Sequence, residues 1–157
     1  MKKNGEVSDF LTLYQQVYAD LYHFALYLLK NQQDAEDVVS DTVLAAYEQF
    51  GQLRSRKAFK SWIFKILTNK CNQKMRAYYQ QTTPLEQANL WHSPDLAGDA
   101  SVRSSFSQLK EEEQLIVALN VFGGYKEKEI AGMLNQNYST VRSKYYRALQ
   151  KMRASLE

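Results

Sequence analysis

The chain is poor in the residues that make turns, crosslinks and metal sites. Two prolines and six glycines among 157 residues are too few for the many tight turns of an all-β fold. A single cysteine, Cys71, excludes an internal disulfide and a cysteine-built zinc site. The two histidines, His23 and His92, stand far apart with no ligand spacing, so neither a metal nor a cofactor is expected. No apolar run approaches the roughly 18 residues of a membrane span. The opening segment MKKNGEVSDF carries two lysines but no apolar stretch of a secretion signal. A soluble, cytoplasmic protein is expected.

What is present is an ordinary globular composition, 45% hydrophobic and 24% charged. The length suits one domain, or two of about 70 residues each. Apolar residues recur with helical spacing. Phe10, Tyr14, Val17, Leu21, Phe24 and Leu28 form one stripe, with Asn31 as the expected end of that helix. A second helix is predicted over 34–50, with Ala35, Val39, Thr42, Ala46 and Phe50 inward and Gly51 closing it. A third is predicted over 56–79, carrying Phe59, Ile63, Phe64, Ile66, Leu67, Cys71 and Met75.

Between 80 and 98 the period breaks. QQTTPLEQANLWHSPDLAG holds both prolines and reads as a linker, with one short helical turn near 85–90. Short helices then resume over 100–108, 110–121, 126–134 and 138–154. The fold class is therefore all-α: two small helical domains, 1–79 and 99–157, joined by a linker over 80–98.

Charge is segregated. The totals, 20 basic against 17 acidic residues, give a net charge of only +3. Yet Arg54, Arg56, Lys57, Lys60, Lys65, Lys70, Lys74 and Arg76 lie in a stretch with no acid, as do Arg142, Lys144, Arg147, Lys151 and Arg153. Two basic segments point to two contacts with a polyanion; two solvated faces that favour solubility explain the same pattern. On the third helix, Lys65, Asn69, Asn72 and Arg76 share a face opposite Leu67 and Cys71, bordered by Trp62. Amides, cations and an aromatic are the components of a single-strand binding surface. Trp62 also reads as a core residue, and the two asparagines as a solvated face.

The second basic segment sits in a helix-turn-helix pattern. A helix carrying Ile130, Ala131 and Leu134 is followed by the turn Asn135-Gln136-Asn137. Asn137 is placed to cap the next helix, which turns Val141, Tyr145, Ala148, Leu149 and Met152 inward. Ser139, Thr140, Arg142 and Ser143 are then placed to reach base edges or phosphates, and Arg147 and Lys151 to hold the backbone. A helical hairpin unconnected with DNA is the alternative. The second helix supplies the opposite charge: Asp34, Asp37, Asp41 and Glu48 share a face, which suits a basic protein partner. Asp34 and Glu36 also simply favour a helix N-terminus.

Three blocks in order now resemble one family. DAEDVVSDTVLAAYEQF (34–50), AFKSWIFKILTNKCNQKMR (58–76) and YKEKEIAGMLNQNYSTVRSKYYRALQKMR (125–153) are similar to regions two and four of bacterial RNA polymerase sigma factors of the extracytoplasmic-function (ECF) type. The resemblance spans nearly the whole chain. It implies that Asp34, Glu36, Asp37, Val38 and Asp41 dock on the clamp helices of core RNA polymerase. It implies that Trp62, Lys65, Asn69, Asn72 and Arg76 open and hold the minus-ten promoter element. The loop over 51–57, with Arg54 and Lys57, would meet a flipped non-template base. Ser139, Thr140, Arg142, Ser143, Tyr146 and Arg147 would lie in the minus-thirty-five major groove. It further implies a contact with the polymerase flap, a cognate anti-sigma factor and no active site.

Three features depart from the family pattern: Ser40 where Gln is common, the turn Asn135-Gln136-Asn137 where Gly, an apolar residue and Pro are usual, and the pair Tyr145-Tyr146. Two other readings are a regulator that uses only the helix-turn-helix, and a helical nucleotide hydrolase. The hydrolase would hold magnesium with Asp37 and Asp41, but only Asp20 lies near the right region for a second pair.

Overall fold

The computed structural model describes residues 4–81 and 100–156. Contacts divide the chain into two compact units, Met1–Ser93 and Pro94–Glu157. Among the described residues every regular element is a helix. The short helical turn expected near 85–90 lies outside the described residues.

The described residues of the N-terminal unit pack three α-helices pairwise: α1 (Asn4–Leu29), α2 (Gln32–Gln49) and α3 (Phe59–Gln81). The predicted stripe of α1 is its buried face: Phe10, Val17, Leu21, Phe24 and Leu28 are buried, and Tyr14 is half-buried. Burial also closes around the whole end of α1, from Phe24 to Lys30. Phe10 is the aromatic centre, edge-on to Tyr47, Phe50 and Phe59 with centroids 5.4, 5.3 and 5.7 Å away. Phe64 and Leu67 of α3, both fully buried, complete the core.

Two boundary expectations are corrected. Asn31 does not end α1. Lys30 does, in the left-handed region at φ 59°, with its N–H on the Leu26 carbonyl at 2.8 Å. Asn31 instead begins α2, its side-chain oxygen accepting the Asp34 N–H at 2.9 Å; a short amide satisfies an orphan donor at a helix start better than it ends a helix. Gly51 does not close α2 in a left-handed turn. The chain leaves through a 3-10 turn over Phe50–Gln52, with the Leu53 N–H on the Phe50 carbonyl at 3.1 Å, so no positive φ is needed there. A second 3-10 turn, Arg56–Ala58, leads into α3.

The described residues of the C-terminal unit form four helices: α4 (Ala100–Ser107), α5 (Glu111–Val121), α6 (Glu127–Leu134) and α7 (Tyr138–Leu156). The last of these packs against the other three. Glutamates at the third positions of α5 and α6 reach back to the N–H groups of Lys110 and Lys126 at 3.0 and 3.1 Å, the acidic half of a capping box. The turn after α5 requires its glycines. Gly124 has φ +74°, and a Cβ on Gly123 would stand 2.6 Å from both the Leu119 carbonyl and the Tyr125 ring. Asn135 caps α6 in the left-handed region at φ 55°, with its N–H on Ala131. At Asn137 the backbone carbonyl accepts the Val141 N–H at 3.1 Å.

Ile130, Ala131, Val141 and Ala148 are buried, as the pattern predicts, and Leu134, Tyr145 and Met152 are half-buried. Leu149 is not: it is 37% exposed. At about 100° per residue it lies roughly 80° round from Val141, past the edge of the buried arc.

Candidate nucleic-acid and protein interfaces

Helix α3 presents the expected polar face. Lys65, Asn69 and Arg76 are exposed and Asn72 is half-buried, while Leu67 and Cys71 behind them are fully buried. Burial holds the Cys71 thiol far above its usual range, so it stays an inert core atom. Trp62 is half-buried, its ring 5.9 Å from that of Phe59; it is both a wall of the core and part of the surface.

The basic segment before and within α3 is not uniformly free. Arg56 faces Asp9 at 3.7 Å, Lys60 faces Asp20 at 3.1 Å and Lys74 faces Asp34 at 3.6 Å. These acids of α1 and α2 neutralise one flank of the segment. No ion pair among the described residues engages Arg54, Lys57, Lys65, Lys70 or Arg76. Of these, Lys65 and Arg76 share the face of α3 that carries the asparagines, whereas Lys70 lies toward the flank of Lys74 and Arg54 and Lys57 precede the helix.

Helix α2 carries the acids. Glu36, Asp37, Asp41 and Glu48 are exposed. Gln32 and Gln33 donate to Glu36 and Asp37 at 3.4 and 3.0 Å, one turn along the helix. Asp34 is partly drawn away from this face by Lys74. Val38 is buried, 4% exposed: it underlies the acidic face and is no part of its surface. The sequence reading missed Leu44, which is 62% exposed. Its spacing from Asp37, Asp41 and Glu48 places it within the acidic stripe and was the available signal.

Helix α7 gathers its predicted residues on one side. Ser139, Arg142, Ser143, Tyr146 and Arg147 are exposed and Thr140 is half-buried. The Arg142 guanidinium lies 5.6 Å from the Tyr146 ring centroid, and Arg147 Nε donates to the Ser143 carbonyl at 3.4 Å. Two other cations of α7 point inward to α5. Lys144 Nζ meets Glu112 at 2.6 Å and Lys151 Nζ meets Glu113 at 2.8 Å. Lys151, expected on the DNA backbone, is thus paired with Glu113 of the same unit while its side chain stays 46% exposed.

These contacts shift both carboxyls downward. Hydrogen bonds from Lys144 and then Gln136 hold Glu112 below the usual carboxylate range. Burial pushes Glu113 upward, but the bonds from Lys151 and the Lys110 N–H, with the two ammonium charges, outweigh it and leave Glu113 lowered. Tyr145, half-buried, donates its hydroxyl to Asn120 Oδ1 at 2.9 Å.

No group of three or more His, Cys, Asp or Glu side chains among the described residues is gathered to hold a metal. Asp20, the one candidate partner for Asp37 and Asp41, is bonded to Lys60. No helix among the described residues is long and apolar enough to cross a membrane.

Two all-α units, one with a polar-basic helix face beside an acidic one and the other with a helix-turn-helix, define a class of two-domain helical DNA-binding protein. Comparison with known proteins agrees. The family model for Sigma-70 region 2 matches residues 13–80, and that for Sigma-70, region 4 matches residues 100–152. The chain is 29% identical over 143 residues to RNA polymerase sigma factor SigV of Bacillus subtilis, covering 87% of this chain and 84% of the relative. It is 26% identical over 153 residues to the ECF RNA polymerase sigma factor SigM of Mycobacterium tuberculosis, covering 94% and 77%. Its fold is similar to that of the sigma factor RpoE of Bartonella quintana, solved in complex with the anti-sigma factor NepR, with a TM-score of 0.75, 21% identity and coverage of 94% and 96%. It is also similar to CnrH, solved with the cytosolic domain of CnrY, with a TM-score of 0.66, 24% identity and coverage of 94% and 86%. The chain belongs to the sigma-70 family of RNA polymerase sigma factors and, within it, to the ECF type.

Proposed function

We propose that this protein binds core RNA polymerase and directs promoter-specific initiation through two separate DNA contacts. Residues 1–79 form the domain for polymerase and the minus-ten element, 80–98 the linker, and 99–157 the domain for the minus-thirty-five element. Glu36, Asp37 and Asp41, flanked by Asp34 and underlain by Val38, meet the clamp helices of the polymerase. Trp62, Lys65, Asn69, Asn72 and Arg76, with Arg54 and Lys57, capture unstacked bases and phosphates of the melted minus-ten strand. Ser139, Thr140, Arg142, Ser143, Tyr146 and Arg147 enter the minus-thirty-five major groove.

The observation that carries this reading is the sorting of charge on α3. Lys60 and Lys74 on its acidic flank are neutralised, while Lys65 and Arg76 beside Asn69 and Asn72 are not. A merely solubilising charge needs no such arrangement. The work is binding work: holding flipped bases stabilises open DNA, and joining two weak domains raises their effective concentration. No catalytic step belongs to this chain. The polymerase flap is a second polymerase contact, and a cognate anti-sigma factor covers these surfaces in the resting state, as NepR accompanies the similar RpoE fold. The site of action is the cytoplasm.

Run-off transcription with purified core polymerase on a promoter library tests the proposal. Specific transcripts that depend on the added protein are expected; their absence would leave only bare DNA binding.

A further inference from the structure

The first turn of α5 and two lysines of α7 form a lock that DNA reading does not require of them. Lys144 and Lys151 are seven residues apart, two helical turns, so they leave α7 on the same side. Glu112 and Glu113 are neighbours at the start of α5. Lys144 Nζ lies 2.6 Å from Glu112 Oε2, and Lys151 Nζ lies 2.8 and 3.0 Å from the two oxygens of Glu113. Gln136, from the turn between α6 and α7, donates its amide to Glu112 Oε1 and accepts Lys144 Nζ at 3.2 Å. Glu113 is only 4% exposed and also accepts the Lys110 N–H. A buried carboxylate deprived of its cation is strongly destabilising, so Lys151 is committed to it.

The apolar contact beneath α7 leaves something for this lock to do. Its fully buried residues, Val141 and Ala148, are small and resist rotation of the helix poorly. Beside them Tyr145 and Met152 are only half-buried, and Tyr145 adds one hydrogen bond to Asn120. A rotation of α7 by one residue, about 100°, would exchange every outward side chain for its neighbour. Two charged anchors about 10 Å apart along the axis, and a third from the turn, oppose both rotation and tilt.

We propose that Glu112, Glu113 and Gln136 are positioning residues that hold Lys144 and Lys151 as internal counter-ions and so fix the rotational setting in which α7 meets a duplex. This deepens the reading of α7 as the duplex reader and rests on it. It divides four of the five basic residues of α7 by role: Arg142 and Arg147 face DNA, whereas Lys144 and Lys151 are paired with carboxylates of α5.

The test uses the full chain in complex with core polymerase. A duplex is first selected from a random library by the wild-type complex. Affinities for that duplex and for a scrambled one are then measured by fluorescence anisotropy across a salt series, with helicity checked by circular dichroism. Lys144→Gln is expected to keep the wild-type salt slope on scrambled DNA while its selected-to-scrambled affinity ratio falls about three- to tenfold. The charge swap E112K/K144E is expected to restore most of that ratio. Gln136→Ala leaves both charges in place and is expected to lower the ratio in the same direction, which keeps the test open if Lys144→Gln does not fold. A slope shallower by about one unit in Lys144→Gln would place Lys144 on phosphate and overturn the proposal. An unchanged ratio in both single variants would overturn it as well. A wild-type complex that selects no duplex removes the reading of α7 as a duplex reader, and this proposal with it.

Discussion

Tyr145 of α7 donates its hydroxyl to Asn120 of α5 at 2.9 Å, and the same Asn120 donates its amide to the Tyr125 carbonyl at 2.9 Å. One asparagine therefore joins the last helix to the glycine turn that precedes the helix-turn-helix. Tyr145→Phe removes the donor and leaves the Asn120 oxygen without it. A loss of about 1 kcal/mol in stability of the C-terminal unit is expected, read as faster hydrogen exchange of α7 amides. Unchanged exchange would mean that water replaces the hydroxyl at no cost.

Gly123 stands where no side chain fits. Gly123→Ala would bring a Cβ to 2.6 Å from the Leu119 carbonyl and the Tyr125 ring. One of these is backbone and the other is a buried ring, so neither yields cheaply. Destabilisation of about 1–3 kcal/mol is expected, seen as a lower urea midpoint for the C-terminal unit. Gly51→Ala is the control, because a Cβ there meets nothing within 4 Å.

Asp37 and Asp41 are exposed, with no ion pair to either among the described residues. Asp37→Lys with Asp41→Lys should leave thermal stability within about 0.5 kcal/mol while abolishing capture by core polymerase in a pull-down. Retained polymerase binding would sink the clamp assignment.

Arg147 offers its charge outward from α7. Arg147→Ala should weaken binding to any duplex and shallow the dependence of log affinity on log salt by about one unit. A slope equal to the wild type would remove Arg147 from the phosphate contacts.

Acid should loosen the C-terminal unit. Glu112 and Glu113 both titrate below their ordinary value of 4.5 in the folded protein. A carboxylate so lowered binds fewer protons when folded than when unfolded, so its contribution is complete above 4.5 and fades as pH falls below it. Urea midpoints measured on either side of that value should fall on the acid side, and Glu112→Gln should flatten the change. An equal fall in Glu112→Gln would assign the acid sensitivity to other groups.

Sequence periodicity by itself determined the helical class, most of the core and the candidate faces, because a helix repeats every 3.6 residues and burial follows that period. Phe10, Phe24, Leu67 and Val141 were legible in this way. So were the polar face of α3, with Asn69 exposed and Asn72 half-buried, and the acids of α2, since the face opposite a buried stripe meets water. Contacts between helices carry no such period, and only the tertiary structure decided them. It assigned Lys60 to Asp20, Lys74 to Asp34, and Lys144 and Lys151 to the glutamates of α5. It also buried Val38 and left Leu44 and Leu149 exposed, because the width of a buried arc depends on which neighbouring helix reaches it. A count of cations along the chain shows where positive charge is made; the packing of α1, α2 and α5 decides how much of it remains for a partner.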